Sequence, residues 1–132
     1  MSAVVDTDVF SFIFKNDTRA SIYEPHLEDR FLFLSFMSIA ELLHWSLNRN
    51  WGRLQKDRLD RAFRSYSIQY SNRDICLHWA SISNERQWLG KPLASSDTWI
   101  AATALYLDVP LITHNAKHFE HINGLALITE NK

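Results

Sequence analysis

The sequence predicts an α/β fold in which a central parallel sheet carries helices on both faces. Short apolar runs alternate with longer amphipathic segments along the whole chain, the pattern of strands joined by crossover helices. The apolar runs are too continuous for strands with one wet face. Acids also recur where an apolar run gives way to a helical pattern: Asp6, Glu41 and Asp97. In an open parallel sheet, strand ends and the helix starts that follow them converge on one crevice, so such acids meet although far apart in sequence.

Taken in order, Ala3 to Val5 is the first strand, and helical patterns over 8–15 and 18–28 follow it. Phe31 to Met37 is the second strand, its apolar residues too unbroken for a half-exposed one. Helices over 38–48 and 52–66 come next, then Ile68 to Tyr70, a shorter strand candidate, and a helix over 73–88. A helix over 96–107 leads into the third clear run, Val109 to Thr113. A short helix over 115–121 and a strand at Ala126 to Thr129 end the pattern. With three Gly and three Pro there is no linker or low-complexity tract. A chain of 132 residues with 46% apolar content suffices for one packed core, so residues 1–132 are expected to form a single domain.

Composition narrows the function classes. The 14 basic and 15 acidic residues give a formal charge of -1, so no global positive field attracts nucleic acid and any such contact must be local. The lone Cys76 cannot form an internal disulfide; among Ile75, Trp79 and Ile82 it reads as a small core hydrophobe. The longest nearly apolar stretch, Phe31 to Leu43, is too short for a bilayer and is interrupted by Ser35, Ser38 and Glu41. No secretory signal pattern opens the chain. A reducing cytoplasm is the compartment consistent with these features.

Each acid also has a structural reading. Ser38-Ile39-Ala40-Glu41 matches a capping box, in which Glu41 would reach back to the Ser38 N–H. Asp97 opens a helix and complements its macrodipole, and Asp6 or Asp8 would cap the first helix. Three carboxylates gathered in one crevice repel one another unless a cation joins them, so their conjunction reads as a metal site.

The residues that carry that conjunction, Val4-Val5-Asp6-Thr7-Asp8-Val9, Ser38-Ile39-Ala40-Glu41-Leu42, Asp97 through Leu105, Leu111 through Phe119 and the closing Ile122-Asn123-Gly124-Leu125, resemble in order and spacing a PIN domain of the VapC type, the toxin of a bacterial toxin–antitoxin pair. The resemblance implies a three-layer α/β/α sandwich with a central parallel sheet. It implies an endoribonuclease dependent on Mg²⁺ or Mn²⁺, a small DNA-binding antitoxin as cognate partner, and a homodimer. Carried over by position, Asp6, Glu41 and Asp97 match the metal-cluster acids and Asn115 a polar residue beside them. Thr7 or Asp8 would shape the first corner. His118 stands where the family often has a fourth acid, which bears on the number of metals bound and on which metal is preferred. A catalytically impaired PIN-like module that binds RNA or protein is the alternative; a phospho-acceptor domain fits less well, because Asp97 leads directly into a helix.

The chemistry explains why acids of this kind are needed. Mg²⁺ prefers oxygen ligands and keeps waters, so two or three carboxylates hold it while leaving room for a substrate phosphate. Binding lowers the pKa of a coordinated water, which then attacks phosphorus in line. That route leaves a 5′-phosphate and a 3′-hydroxyl.

The substrate surface is less legible. Arg49, Arg53, Lys56, Arg58, Arg61 and Arg64 concentrate positive charge, yet Arg53/Asp57, Asp57/Arg61 and Asp60/Arg64 have the i,i+4 spacing of a solvated, paired helix face. Phosphate contact by Arg49, Lys56 or Arg58 is the alternative. Trp79 reads as core; Trp45, Trp51, Trp88 and Trp99 suit a core, an interface or a base-stacking surface. His118 falls at the third position of a helix capped by Asn115, facing either crevice or solvent. As a nitrogen donor it would favour Mn²⁺.

Overall fold

A computed structural model describes residues 1–132 of the chain. The strands are β1 (Ser2–Val5), β2 (Phe31–Ser35), β3 (Ser67–Gln69), β4 (Leu111–Ile112) and β5 (Leu127–Ile128). The helices are α1 (Thr7–Lys15), α2 (Ala20–Leu27), α3 (Phe36–Asn48), α4 (Arg53–Phe63), α5 (Arg73–Trp88), α6 (Ser95–Leu107) and α7 (Ala116–Phe119). All five strands pair in parallel, in the order β3-β2-β1-β4-β5. The chain therefore builds outward from β1 through β2 to β3, then returns to place β4 against the other side of β1. This reversal between β1 and β4, with Val5 opposite Ile112, is where such sheets open a crevice at their carboxyl ends.

Side-chain alternation along the central strands separates the helices into two layers. Ala3 and Val5 of β1, Leu34 of β2 and Ile112 of β4 point into one core with Val9, Phe10, Phe12 and Phe14 of α1, Tyr23 of α2, Leu42 of α3 and Leu59 of α4. Val4 and Leu111 point the other way, against Ile75 and Ile82 of α5, Ile100, Ala101 and Ala104 of α6 and Phe119 of α7. The expected three-layer α/β/α sandwich follows from that alternation. The small residues of α6 let it lie close to both β1 and β2.

Several boundaries differ from expectation for identifiable reasons. The second strand ends at Ser35 rather than Met37, because the Ser35 hydroxyl accepts the Met37 N–H at 3.1 Å and starts α3. The Ser38–Glu41 capping box is therefore not formed; Ser38 lies inside the helix, fully buried. The third clear strand contracts to Leu111–Ile112, since Pro110 has no N–H to give a ladder, although its carbonyl still accepts from Val4 at 2.9 Å. The Ile68–Tyr70 candidate is a real edge strand, shifted by one residue to Ser67–Gln69. Helix α1 ends on Asn16 in the left-handed conformation (φ 53°), which Asn tolerates better than most residues. Cys76 is exposed, not core; on α5 it is Ile75 and Ile82 that are buried.

Candidate functional site

The crevice at the switch point has a volume of about 400 Å³ and is lined by Asp6, Thr7, Asp8, Ser11, Lys15, Glu41, Leu42, Trp45, Asp97 and Asn115. Four of the five sequence-predicted site residues, Asp6, Glu41, Asp97 and Asn115, thus come together across 110 positions of sequence. The fifth, His118, stays outside the lining. Its ring is 59% exposed, and its Nδ1 lies 3.3 Å from Asp97 Oδ2.

Asp6 follows β1 directly and is 4% exposed. As the N-cap of α1 it accepts the Thr7 N–H at 2.8 Å. Its other oxygen accepts the hydroxyl of the fully buried Thr113, just past β4, at 2.7 Å. The structural reading of Asp6 is therefore correct but incomplete, because the same carboxylate lines the crevice. Thr7 Oγ1 lies 2.8 Å from both Glu41 Oε1 and Ser38 Oγ; having one proton, it donates to the carboxylate and accepts from Ser38. Asp8 accepts the N–H of Val9 at 2.7 Å and that of His114 at 3.2 Å. Asp97 sits in the first turn of α6, whose start has no side-chain cap.

Burial and mutual repulsion set the protonation of this cluster. Burial pushes Asp6 up to about 8, with the charge on Asp8 adding to it against the hydrogen bonds from Thr113 and Thr7. Asp8 and Glu41 are raised as well, first by burial and then by Asp97, against the N–H and hydroxyl donors they accept. Carboxylates that resist ionisation this way are held short of compensating charge. As oriented, no three His, Cys, Asp or Glu side chains stand close enough to chelate one ion together. Asp6, Asp8 and Glu41 are each occupied by a protein donor, and Asp97 lies beside His118. The donor set is nonetheless all-oxygen and anionic, with Asn115 adding an amide, which fits a hard divalent cation such as Mg²⁺ or Mn²⁺.

Asn115 precedes α7 but makes no side-chain cap. Its N–H donates to Thr113 Oγ1 at 3.0 Å, leaving the amide free toward the crevice it lines. His114 does not enter: its ring bonds the Tyr23 hydroxyl at 2.7 Å. Sequence reasoning missed Thr113, Ser11 and Lys15 as parts of the site, and left the place of Trp45 open. Two spacings pointed to all of these but Thr113: Asp8, Ser11 and Lys15 fall at i, i+3 and i+7 on α1, and Trp45 falls at i+4 from Glu41 on α3, each a single helix face.

Two residues of the basic stretch, Arg53 and Arg58, are accounted for by structure. Only the Arg53–Asp57 pair forms, at 3.9 Å. Arg58 turns inward, donating to the Phe14 carbonyl with its guanidinium 4.3 Å from the Phe14 ring centroid, and is withdrawn as a phosphate contact. Trp79 stacks on Trp99 with centroids 5.2 Å apart, against the second core. Trp45 packs on Trp51 and Phe14.

A parallel sheet with carboxylates gathered at its switch point, carried on α1, α3 and α6, defines an acid-cluster α/β domain. The chain belongs to the PIN domain family, whose pattern matches residues 3–125. It is 30% identical to Ribonuclease VapC1 of Haemophilus influenzae strain R2866 over 127 residues, 95% of each chain. Among solved structures it is similar to VapBC-1 of nontypeable Haemophilus influenzae, with a TM-score of 0.80, 28% identity and complete coverage of both chains. It shares its fold with VapBC2 of Rickettsia felis bound to a promoter DNA fragment, with a TM-score of 0.85, 19% identity and 98% of each chain covered. No helix is long and apolar enough to cross a membrane.

Proposed function

We propose that this protein is a divalent-metal-dependent endoribonuclease and the toxin of a toxin–antitoxin pair. The observation that carries the reading is the convergence of Asp6, Asp8, Glu41 and Asp97 on one open crevice, in a chain 30% identical to a ribonuclease along nearly its full length. Asp6, Glu41 and Asp97 would hold Mg²⁺ or Mn²⁺, with Asp8 and Asn115 beside them. When bound, the ion supplies a hydroxide near neutral pH and neutralises charge on the phosphoryl oxygens. Thr113 and Thr7 hold Asp6 in place, and Thr7 ties Glu41 of α3 to the start of α1. Asp97 approaches from the α6 side and completes the cluster. His118 touches Asp97 from the solvent side and acts by orienting it. Likeness to VapBC-1 supports a cognate antitoxin as partner. A second copy of the chain and a cytoplasmic location complete the reading.

Incubation of the purified protein with a small-RNA fraction, with Mg²⁺ or Mn²⁺ and with chelator, tests it. Cleavage should require the metal, leave 5′-phosphate and 3′-hydroxyl ends, and persist when the ribose at the cut site lacks its 2′-hydroxyl. Cyclic 2′,3′-phosphate ends or full activity in chelator would overturn the mechanism. RNA binding without cleavage under both metals would favour the impaired binding module.

A further inference from the structure

The two helices that carry acids into the crevice extend its walls past the acids. On α1 the lining face runs Asp8, Ser11, Lys15; on α3 it runs Glu41, Leu42, Trp45. Lys15 is the one cation among the lining residues. With a rise of about 1.5 Å per residue, its Cα stands about 10 Å along α1 from that of Asp8. The crevice is therefore polar in the electrical sense, acidic at the sheet and basic at its far end.

Nothing else in the fold occupies the Lys15 ammonium. It has no carboxylate within ion-pair distance; the nearby Asp17 is taken by Arg19, at 2.9 and 3.0 Å to its two oxygens. A role in ending α1 is also filled. The Asn16 and Asp17 N–H groups close onto the Ile13 and Phe12 carbonyls, and Arg58 donates to that of Phe14. What Lys15 does contact is Trp45, its Nζ 5.2 Å from the ring centroid. The indole is itself fixed by Trp51 at 4.7 Å and Phe14 at 6.3 Å. An ammonium held over an aromatic face keeps its position while its hydrogens stay available to an anion.

We propose that Lys15, held by Trp45, positions a backbone phosphate of the RNA that flanks the scissile one. A polyanion entering an acid-lined crevice is repelled along its length, and a cation on the path anchors the strand where the acids cannot. This inference rests on the ribonuclease reading. Lys15 and Trp45 would be positioning residues, acting on the substrate away from the reacting bond.

The test is steady-state cleavage of the RNA cut fastest from a small-RNA fraction, over a KCl series, with Lys15→Met, Lys15→Arg and Trp45→Leu. Lys15→Met should raise KM about tenfold with kcat within about threefold of wild type, and flatten the slope of log kcat/KM against log salt by about 0.7, the value of one single-strand phosphate contact. Lys15→Arg should keep the slope, and Trp45→Leu should move KM in the same direction by less. Melting of Lys15→Met should match wild type. An unchanged KM and salt slope in Lys15→Met, with or without a drop in melting temperature, overturns the inference and leaves the ribonuclease reading standing. Failure of the wild-type protein to cleave RNA with either metal overturns that reading first, and this inference with it.

Discussion

The two walls of the crevice are built to different standards. On the α1/α3 side, Asp6 is held by Thr7 and Thr113, and one threonine hydroxyl joins Ser38 and Glu41 to the start of α1. On the α6/α7 side, Asp97 stands at a helix start without a side-chain cap, and its one ion-pair contact is to an exposed histidine. One wall is preorganised and the other is open to adjustment. Such a division would suit the metal site proposed above, in which the fixed acids would define the place of a cation that relieves their mutual repulsion.

The largest expected effect breaks both walls alike. Asp97→Asn, Asp6→Asn or Glu41→Gln should each lower cleavage about a hundredfold or more, the scale seen when a group stabilising transition-state charge is removed. Stability separates the two roles open to Asp97. A carboxylate of a repelling cluster, once neutralised, leaves the metal-free fold as stable or more so, and weakens stabilisation by added metal. If instead Asp97→Asn costs about 0.3–1 kcal/mol, as loss of a charge that complements a helix dipole does, while cleavage persists, its place among the ligands is withdrawn.

The second effect concerns pH on the fixed wall. Asp6 is raised to about 8, so between its unfolded value near 4 and that value the folded state binds more protons than the unfolded one. The Asp6 contribution to metal-free stability should therefore be full below about pH 4 and be lost as pH rises toward 8. Urea unfolding in chelator at pH 5 and pH 8 checks this. Asp6→Asn should remove most of the difference, and an equal loss in wild type and variant would contradict the assigned cause.

Cutting the tie between α1 and α3 should have an intermediate effect. Thr7→Val removes the donor to Glu41, leaving that carboxylate and Ser38 without their partner. Metal affinity should drop about ten- to a hundredfold, as when an orienting hydrogen bond to a ligand is lost. Calorimetric titration with Mn²⁺ measures it; unchanged affinity would mean that Glu41 needs no positioning.

The smallest effect falls on the open wall. His118→Ala should lower turnover moderately, since the exposed ring touches only Asp97, and His118→Asp should improve use of Mg²⁺ relative to Mn²⁺. Should both variants keep the rate and metal preference of wild type, His118 is a surface residue without part in the site.

The same division decides what the sequence made legible. Asp6, Glu41 and Asp97 could be singled out because each reads locally as a junction between an apolar run and a helix, although Glu41 in fact lies inside α3. The layered fold was legible because Ala3, Val4 and Val5 admit no wet face. The capping-box reading of Glu41 failed because two serines, Ser35 and Ser38, offered rival helix starts, and only tertiary contact with Thr7 decides between them. Thr113 was invisible as a site residue: nothing in Leu111-Ile112-Thr113 says that its hydroxyl meets a carboxylate 107 positions earlier. Arg58 misled for the opposite reason, since a basic residue in a charged helix looks solvated until the Phe14 carbonyl is seen beneath it.

The central placement of β1 bears on the order in which the protein becomes active as it is made. The first strand synthesised is the middle of the finished sheet, and the edge it needs for completion comes from Leu111–Ile112. Asp6 therefore waits for Thr113, and Asp97 and Asn115 arrive in the same late stretch. On a ribosome, where chains emerge from the amino end at about 5–20 residues per second, β1, β2 and the helices between them are exposed before any crevice exists. A nascent chain bearing Asp6, Asp8 and Glu41 but not yet Asp97 or Asn115 has an incomplete acid cluster and no closed wall. Under the nuclease reading proposed above, activity is withheld from the partly made protein, beside the very RNA that is directing its synthesis, until residues through Asn115 have emerged to close the crevice.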